Sequence, residues 1–227
     1  MAHVQPGFLE QRLTEISDLV RHGLRDALLA LQSGDAAIAQ RVIDADDEVD
    51  RRCLALDRDA EILLVGRVVP GRDIALVLAA TRIARNLERM ADQCVTIAKL
   101  VQAGGNDEPG AAAVRRSLDE MGRRGERMLE AATDALSRRD AARARQLDEL
   151  DNLVDDLNRS VVEQVLAIGG DHARREWGLR MVLCARALER IADNAVDIAE
   201  QASYVVTGEL REFSDASHPE EHPGEAA

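Results

Sequence analysis

Eight acidic side chains are spaced in a way that suits the binding of metal ions. Glu88 and Asp92 lie four residues apart, and the same pair recurs 101 residues later as Glu189 and Asp193. In an α-helix, residues at this spacing share one face, and two like charges there destabilise an isolated helix by about 0.2–0.5 kcal/mol. A second set of pairs, also four residues apart and repeated after 105 residues, consists of Asp46 with Asp50 and Asp151 with Asp155.

Each acidic pair follows an apolar residue on the inner seam of its helix, so two helices of each half could bring four carboxylates together along one groove. Carboxylate oxygens without sulfur or imidazole suit hard or borderline cations, and the candidate ions are Mg²⁺, Mn²⁺, Fe²⁺ and Zn²⁺. No Glu stands three residues before a His, as it does in buried di-iron bundles, so an open surface cluster is predicted. The alternative is a solvated acidic face neutralised by nearby arginines, namely Arg85, Arg89, Arg186 and Arg190.

The spacing of apolar residues predicts the helices that must position these carboxylates. Apolar side chains recur every three or four residues in six long segments, which predicts an all-α protein. Asp35 and Asp140 are predicted to start the second and fifth helices. The expected organisation is a three-helix bundle over residues 8–103, a glycine-rich linker over 104–110, a second three-helix bundle over 111–213 and a disordered acidic tail over 214–227. A single six-helix bundle is the alternative.

Composition excludes several classes of protein. A net charge of −13, with one Trp and one Tyr, argues against nucleic acid binding, which needs a basic surface and stacking platforms. Three cysteines without a Cys-x-x-Cys pair suggest reduced, core-filling thiols. No signal peptide or membrane-spanning run is visible, so a soluble, cytoplasmic protein is expected. Phosphate-loop, Gly-x-Ser-x-Gly and dinucleotide motifs are missing as well, and no catalytic residue is predicted.

The repeated motif resembles a known family. Residues 85–92 read RNLERMAD and residues 186–200 read RALERIADNAVDIAE. These segments resemble the PhoU family, whose members are accessory regulators of the phosphate-specific transport system, and the resemblance extends from about Phe8 to Phe213. It implies two tandem three-helix bundles with metal clusters on the bundle surface. It also implies a cytoplasmic protein, commonly a homodimer, with no enzymatic reaction of its own.

The resemblance further implies a role in phosphate homeostasis and signal transduction. Such a protein is expected to couple the ATPase subunit of a phosphate ABC transporter to a membrane sensor histidine kinase. It would act as a negative regulator, repressing the phosphate-starvation response when phosphate is plentiful. Two other functions stay open from the residues alone, a metal-dependent hydrolase or oxidase that uses the carboxylates, and a metal-binding or purely structural bundle.

The two repeats differ from each other near their acidic pairs. Asp197 and Glu200 extend the acidic row of the second repeat, whereas the first repeat has Thr96 and Lys99 at the corresponding positions. A lysine beside the carboxylates competes with a metal cation for them. We therefore expect the second site to bind metal more tightly than the first.

Overall fold

The computed structural model describes residues 6–66, 73–104, 112–168, 170 and 172–213, and these residues form helices and short connections without a strand. The all-α prediction is confirmed. Most of the predicted linker and the predicted tail lie outside the described residues. The helices are α1 Pro6–Ser33, α2 Ala36–Val65, α3 Ile74–Gln102, α4 Ala112–Arg138, α5 Ala141–Arg145, α6 Leu147–Ile168 and α7 His172–Thr207.

The helices pack as two groups of three that share one core. Helices α1, α2 and α3 contact one another, as do α4, α6 and α7, and α5 packs against α4 and α7. Between the groups, α3 lies against α7 and α1 lies against α4. The buried Leu, Ile, Val, Ala and Met side chains of both groups form one continuous cluster. Helices α3 and α7, which carry the Glu and Asp pairs, therefore lie side by side, with α2 and α6 as their respective partners.

Helix α6 packs through a single stripe of buried side chains and approaches α7 closely at one glycine. Its fully buried side chains are Leu147, Val154 and Val161, which recur every seven residues and form a single stripe. At Gly178 of α7, an added Cβ would lie 2.6 Å from Cγ1 of Val165, so the two helices approach closely there. This packing fixes the face of α6 that carries its acidic pair.

The fifth predicted helix is interrupted, which the apolar spacing did not indicate. It consists of α5 and α6, separated at Gln146, whose N–H donates to the carbonyl of Arg143 three residues back at 3.3 Å. A hydrogen bond that spans three residues is of the 3₁₀ type, and it winds the backbone more tightly than the four-residue bond of an α-helix. Ala144 and Leu147 on either side are both buried, so the irregular turn keeps an apolar face directed inward.

The predicted start of the second helix at Asp35 is confirmed. Gly34, at a φ of 70°, ends α1 in the left-handed conformation that glycine adopts without strain. The Asp35 carboxylate then accepts hydrogen bonds from the N–H groups of Ala37 at 2.8 Å and Ile38 at 3.3 Å. Asp140 caps α5 in the same way, accepting from Arg143 N–H at 2.9 Å.

Replacing the Asp35 cap should have a modest and measurable cost. Asp35→Ala leaves two N–H groups at the start of α2 without their acceptor, and we expect a loss of about 1 kcal/mol in the free energy of unfolding. Asp35→Asn retains a capping oxygen and should stay within a few tenths of a kcal/mol of wild type. Urea denaturation of the three proteins measures this, and equal losses in both variants would contradict a capping role.

Candidate functional site

The first predicted cluster is brought together in the groove between α2 and α3. Burial and then the charges of Asp50 and Asp92 raise the pKa of Asp46 from 3.8 to about 6. Desolvation and then the charges of Glu88 and Asp92 raise the pKa of Asp50 as well. Burial is the larger cause at both aspartates, and the neighbouring charges that add to it come from predicted members of the site. Asp50 and Asp92 act on Asp46, and Glu88 and Asp92 act on Asp50, so the structure places the four predicted carboxylates near one another.

The second cluster forms between α6 and α7. Burial and then the charges of Asp193 and Asp155 raise the pKa of Asp151 from 3.8 to about 7. Burial and then the charge of Asp155 raise the pKa of Asp193. Asp197 adds to the repulsion at both of these aspartates. The structure thus brings together three of the four predicted carboxylates and adds Asp197 to them.

Glu189, the fourth predicted member of the second site, lies in a different environment. Its side chain is buried, with 7% of the residue exposed, and it pairs with Arg186 three residues earlier on the same helix. Glu88 occupies the equivalent position in the first repeat and pairs with Arg85 at 3.1 Å. The arginine next to each motif therefore neutralises the glutamate of its pair.

The aspartates are not neutralised in this way. Within the described part of the chain, no Lys or Arg nitrogen lies within 4.0 Å of the carboxylates of six cluster aspartates. A face neutralised throughout by arginine would pair these groups too. The arginine alternative accounts for the two glutamates and for a weaker effect on Asp193, since the charges of Arg186 and Arg190 oppose the rise in its pKa. Among the described residues it provides no ion pair within 4.0 Å for the six cluster aspartates, which are Asp46, Asp50, Asp92, Asp151, Asp155 and Asp193.

Two carboxylate oxygens in the second half are buried and accept no hydrogen bond from any described group, namely Oδ1 of Asp151 and Oε2 of Glu189. A buried anionic oxygen without a partner is costly, and a hard cation is a suitable partner for it. In chemical type, the residues present fit a divalent metal. In the conformation described, however, no three Asp, Glu, His or Cys side chains among the described residues converge closely enough to hold one ion. Binding would require the carboxylates to rotate toward a common point.

The charged neighbours of the two clusters differ. The positive charge of Lys99 acts on Asp46 and opposes the rise in its pKa. At the second cluster the neighbouring charges that act on Asp151 are all acidic and include Asp148, whereas Arg186 and Arg190 oppose the rise in the pKa of Asp193. Asp148 was not among the predicted site residues, although it lies three residues before Asp151, one helical turn away.

The segment after α7 folds back over the acidic row. The backbone N–H of Phe213 donates to Oε1 of Glu200 at 2.8 Å, and Phe213 packs against the core. Burial raises the pKa of Glu200 to about 7, and the Phe213 hydrogen bond opposes this rise. Asp197 and Asp148 add their repulsion to Glu200, so the acidic region of the second half continues toward the end of the described chain.

The remaining sequence predictions concern the cysteines and the membrane. Cys53, Cys94 and Cys184 are free and buried, as expected for core-filling thiols. Burial raises the pKa of each thiol to about 12, which keeps it protonated and unreactive near neutral pH. None of the described helices is both long and apolar enough to cross a membrane.

Comparison with known proteins agrees with this architecture. The family model described as "PhoU domain" matches residues 13–101 and 118–202, one segment in each half of the chain. The chain belongs to the PhoU family. It is 27% identical over 203 residues to the phosphate-specific transport system accessory protein PhoU of Edwardsiella tarda, covering 89% of this chain and 83% of that protein. It is 28% identical over 215 residues to the PhoU homolog of Rhizobium meliloti, covering 91% and 90%.

Solved PhoU structures share the fold. The phosphate transport system regulatory protein PhoU from Streptococcus pneumoniae superimposes with a TM-score of 0.83 at 26% identity, covering 91% of this chain and 97% of that one. PhoU from Pseudomonas aeruginosa gives a TM-score of 0.81 at 25% identity, covering 89% and 97%. The resemblance inferred from the repeated acidic motif is thereby confirmed along nearly the whole chain.

Proposed function

We propose that this protein is a regulatory accessory protein of a phosphate-specific transport system. The observation that carries the proposal is the PhoU match in both halves, together with relatives named as accessory proteins of that system. Because the alignment with the Edwardsiella tarda relative spans 83% of its length, the likeness concerns the whole protein rather than one shared segment. The name "accessory" favours regulation over catalysis.

In detail, the protein is proposed to couple the ATPase subunit of a phosphate ABC transporter to a sensor histidine kinase in the cytoplasm. Its effect on the phosphate-starvation response is proposed to be negative. A bundle with accessible helix faces on both halves suits such an adaptor, since the two halves could each contact a different partner. In this proposed role the protein catalyses no reaction of its own.

Divalent metal ions are proposed as ligands of the two acidic clusters. When bound, a divalent cation supplies the positive charge that the aspartates lack. In the first half, Asp46, Asp50 and Asp92 would hold it, with Glu88 if this side chain leaves Arg85. In the second half, the residues that would hold it are Asp151, Asp155, Asp193 and, after release from Arg186, Glu189.

We also propose that the protein forms a homodimer. Several large apolar side chains of α2 are exposed, including Leu54 at 58%, Ile62 at 58% and Val65 at 77%. Their spacing places them along one side of the helix. An apolar stripe of this kind is suited to burial against a second copy of the chain.

The adaptor proposal predicts that the full-length protein captures both partners. Purified protein used as bait in an extract of phosphate-replete cells should retain the transporter ATPase and a sensor histidine kinase, identified by mass spectrometry. Leu54→Asp introduces a charge on the α2 face proposed for the homodimer, so light scattering should show this variant as a monomer. Asp44→Asn, at an exposed position of the same helix, is the matched control and should remain a dimer. Retention of neither partner by the wild-type bait contradicts coupling. Turnover of phosphate esters or of oxygen by metal-loaded protein contradicts a non-catalytic role.

A further inference from the structure

A cavity of about 400 Å³ lies between α3 and α7, where the two halves of the protein meet. Three of its lining residues are Arg82, Arg85 and Arg89 of α3. Their spacing of three and four residues places them on one helix face, directed along the cavity. On the α7 side the cavity is lined by Asp197 and Gln201. The predicted acidic pairs of the two clusters lie in other grooves, between α2 and α3 and between α6 and α7. Asp197 belongs both to the second cluster and to this cavity.

Two of the three arginines of this cavity are available to an anion, while Arg85 pairs with Glu88. In a chain of net charge −13, Arg82 and Arg89 form no ion pair within 4.0 Å with any carboxylate of the described residues. Arg82 is instead oriented by Oε1 of Gln201, which accepts its Nη1–H at 3.2 Å, and by the Tyr204 ring 5.9 Å away. The charge of Arg89 acts on the Asp197 carboxylate and opposes the rise in its pKa. Arg82 and Arg89 together still exceed this one negative charge, which leaves a net positive charge for an anionic ligand.

Two buried amides give the cavity further donors. Asn86 is 7% exposed and Gln201 is 8% exposed, and both line the cavity. The Asn86 side chain makes no hydrogen bond with the described residues, and the Gln201 NH₂ group likewise has no acceptor among them. Neither amide is among the fully buried polar atoms of the described residues that lack a partner, so both amide groups are open to the cavity and can donate to a ligand there. A ligand with several acceptor oxygens would satisfy them.

We propose that this cavity binds inorganic phosphate. A tetrahedral oxyanion can accept forked hydrogen bonds from arginine and single bonds from the Asn86 and Gln201 amides at the same time. Asp197 would repel a ligand that carries no proton. Near neutral pH, however, phosphate retains a proton that it can donate to this carboxylate, whereas sulfate has none. The cavity should therefore prefer phosphate to sulfate.

The internal repeat shows that the cavity is not a general consequence of the family motif. At an offset of 101 residues, Arg89 corresponds to Arg190, but Arg82 corresponds to Leu183 and Asn86 to Ala187. The second half therefore retains the arginine of the motif and lacks the donors that complete the cavity. Arg190, which is exposed on α7, provides a matched control for Arg89. Phosphate binding rests on the cavity alone, while its regulatory meaning rests on the proposed function.

The test is a titration of the metal-free full-length protein with inorganic phosphate by isothermal calorimetry, repeated with sulfate. Wild type should bind one phosphate per chain saturably and sulfate more weakly. Arg89→Gln should weaken phosphate binding about 10-fold or more, because a charge-assisted hydrogen bond is lost. Arg190→Gln should leave binding within about twofold of wild type. Asp197→Asn should reduce the preference for phosphate over sulfate.

Several results would overturn the assignment. If wild type shows no saturable phosphate binding, the assignment fails. It also fails if Arg89→Gln and Arg190→Gln weaken phosphate binding equally, because that would indicate only a diffuse effect of charge. Because Arg89 has no ion pair to lose, its variant should fold normally, and circular dichroism checks this. Asn86→Ala provides a second variant expected to weaken binding if Arg89→Gln fails to fold. Failure to bind phosphate with both partners still captured contradicts this assignment and leaves the adaptor role standing.

Discussion

Mn²⁺ at a concentration well above its dissociation constant should raise the melting temperature of the wild-type protein by about 5–10 °C. At 100 times the dissociation constant, a ligand that binds only the folded state stabilises it by about 2.7 kcal/mol. For a chain of this length, each kcal/mol corresponds to about 2–4 °C. The physical reason is the repulsion among the aspartates, which a bound cation would relieve while contributing its own binding free energy.

The double substitution Asp151→Asn and Asp193→Asn should remove most of that rise. These two carboxylates repel each other across the α6–α7 groove, so neutralising them removes both the repulsion and two prospective ligands. Glu189→Gln is a less specific probe, since it would leave Arg186 without its buried partner. The double substitution Asp46→Asn and Asp92→Asn should remove less of the Mn²⁺-induced rise in melting temperature, because Lys99 already offsets part of the charge at the first cluster.

The control for this prediction removes charge from the same helix at a position outside the cluster. Asp156 is exposed on α6 and pairs with Arg159 instead of with the cluster. Asp156→Asn should retain the full response to Mn²⁺, measured by differential scanning calorimetry over a metal titration. If wild type and the Asp151 and Asp193 double variant respond equally, the carboxylates form only a solvated acidic face and the metal proposal fails.

The features that the sequence predicted well are those set by local spacing. Apolar residues at intervals of three and four predict each long helix. Asp35 and Asp140 each carry a carboxylate oxygen that caps the start of the next helix. The acidic pairs were identified because positions four apart share a face in any helix. Their recurrence at a constant offset then indicated which pairs belonged to equivalent places.

The features that the sequence did not predict depend on contacts between distant parts of the chain. Nothing local distinguishes Glu189 from Glu88, yet the packing of α7 buries Glu189 more completely. The interruption at Gln146 lies between two buried residues, Ala144 and Leu147, and no turn residue in the sequence marks it. The spacing of Arg82, Arg85 and Arg89 indicates a basic stripe on one face of α3. The cavity that they line forms only when α3 and α7 pack together, which the sequence does not show. Periodicity shows which face a residue occupies, but not which helix it faces.

The metal-free protein should lose stability as the pH rises from about 4 to 7 through the titration of the cluster aspartates. Burial and the charges of Asp193 and Asp155 raise the folded-state pKa of Asp151 to about 7, against 3.8 in the unfolded chain. Between these values the folded state binds a proton that the unfolded state has released, so the free energy of unfolding falls as pH increases. The contribution is fully present below 3.8 and is lost as the pH passes the folded value. Asp46 contributes in the same direction over the range from 3.8 to about 6.

Asp151→Asn isolates this effect, because asparagine resembles the protonated aspartate at every pH. In the presence of a chelator, the variant should equal wild type below the unfolded pKa and should be more stable above about pH 7. The expected gain there is about 1–2 kcal/mol, after allowance for solvent screening at a partly exposed site. Urea denaturation across this pH range, with Asp156→Asn as the charge control, measures the difference. Parallel profiles for wild type and Asp151→Asn would show that the cluster does not perturb this carboxylate.

The same pH series with saturating Mn²⁺ should show the opposite slope. Metal ligands must be deprotonated, so protons compete with the cation, and the stabilisation by Mn²⁺ should grow as the pH rises through the same interval. Wild type would then cross from proton-stabilised to metal-stabilised behaviour, while Asp151→Asn would show a weaker dependence in both conditions. If Mn²⁺ leaves the slope of the wild-type profile unchanged, the aspartates titrate without binding metal. The repulsion at the α6–α7 groove would then be relieved by protons alone.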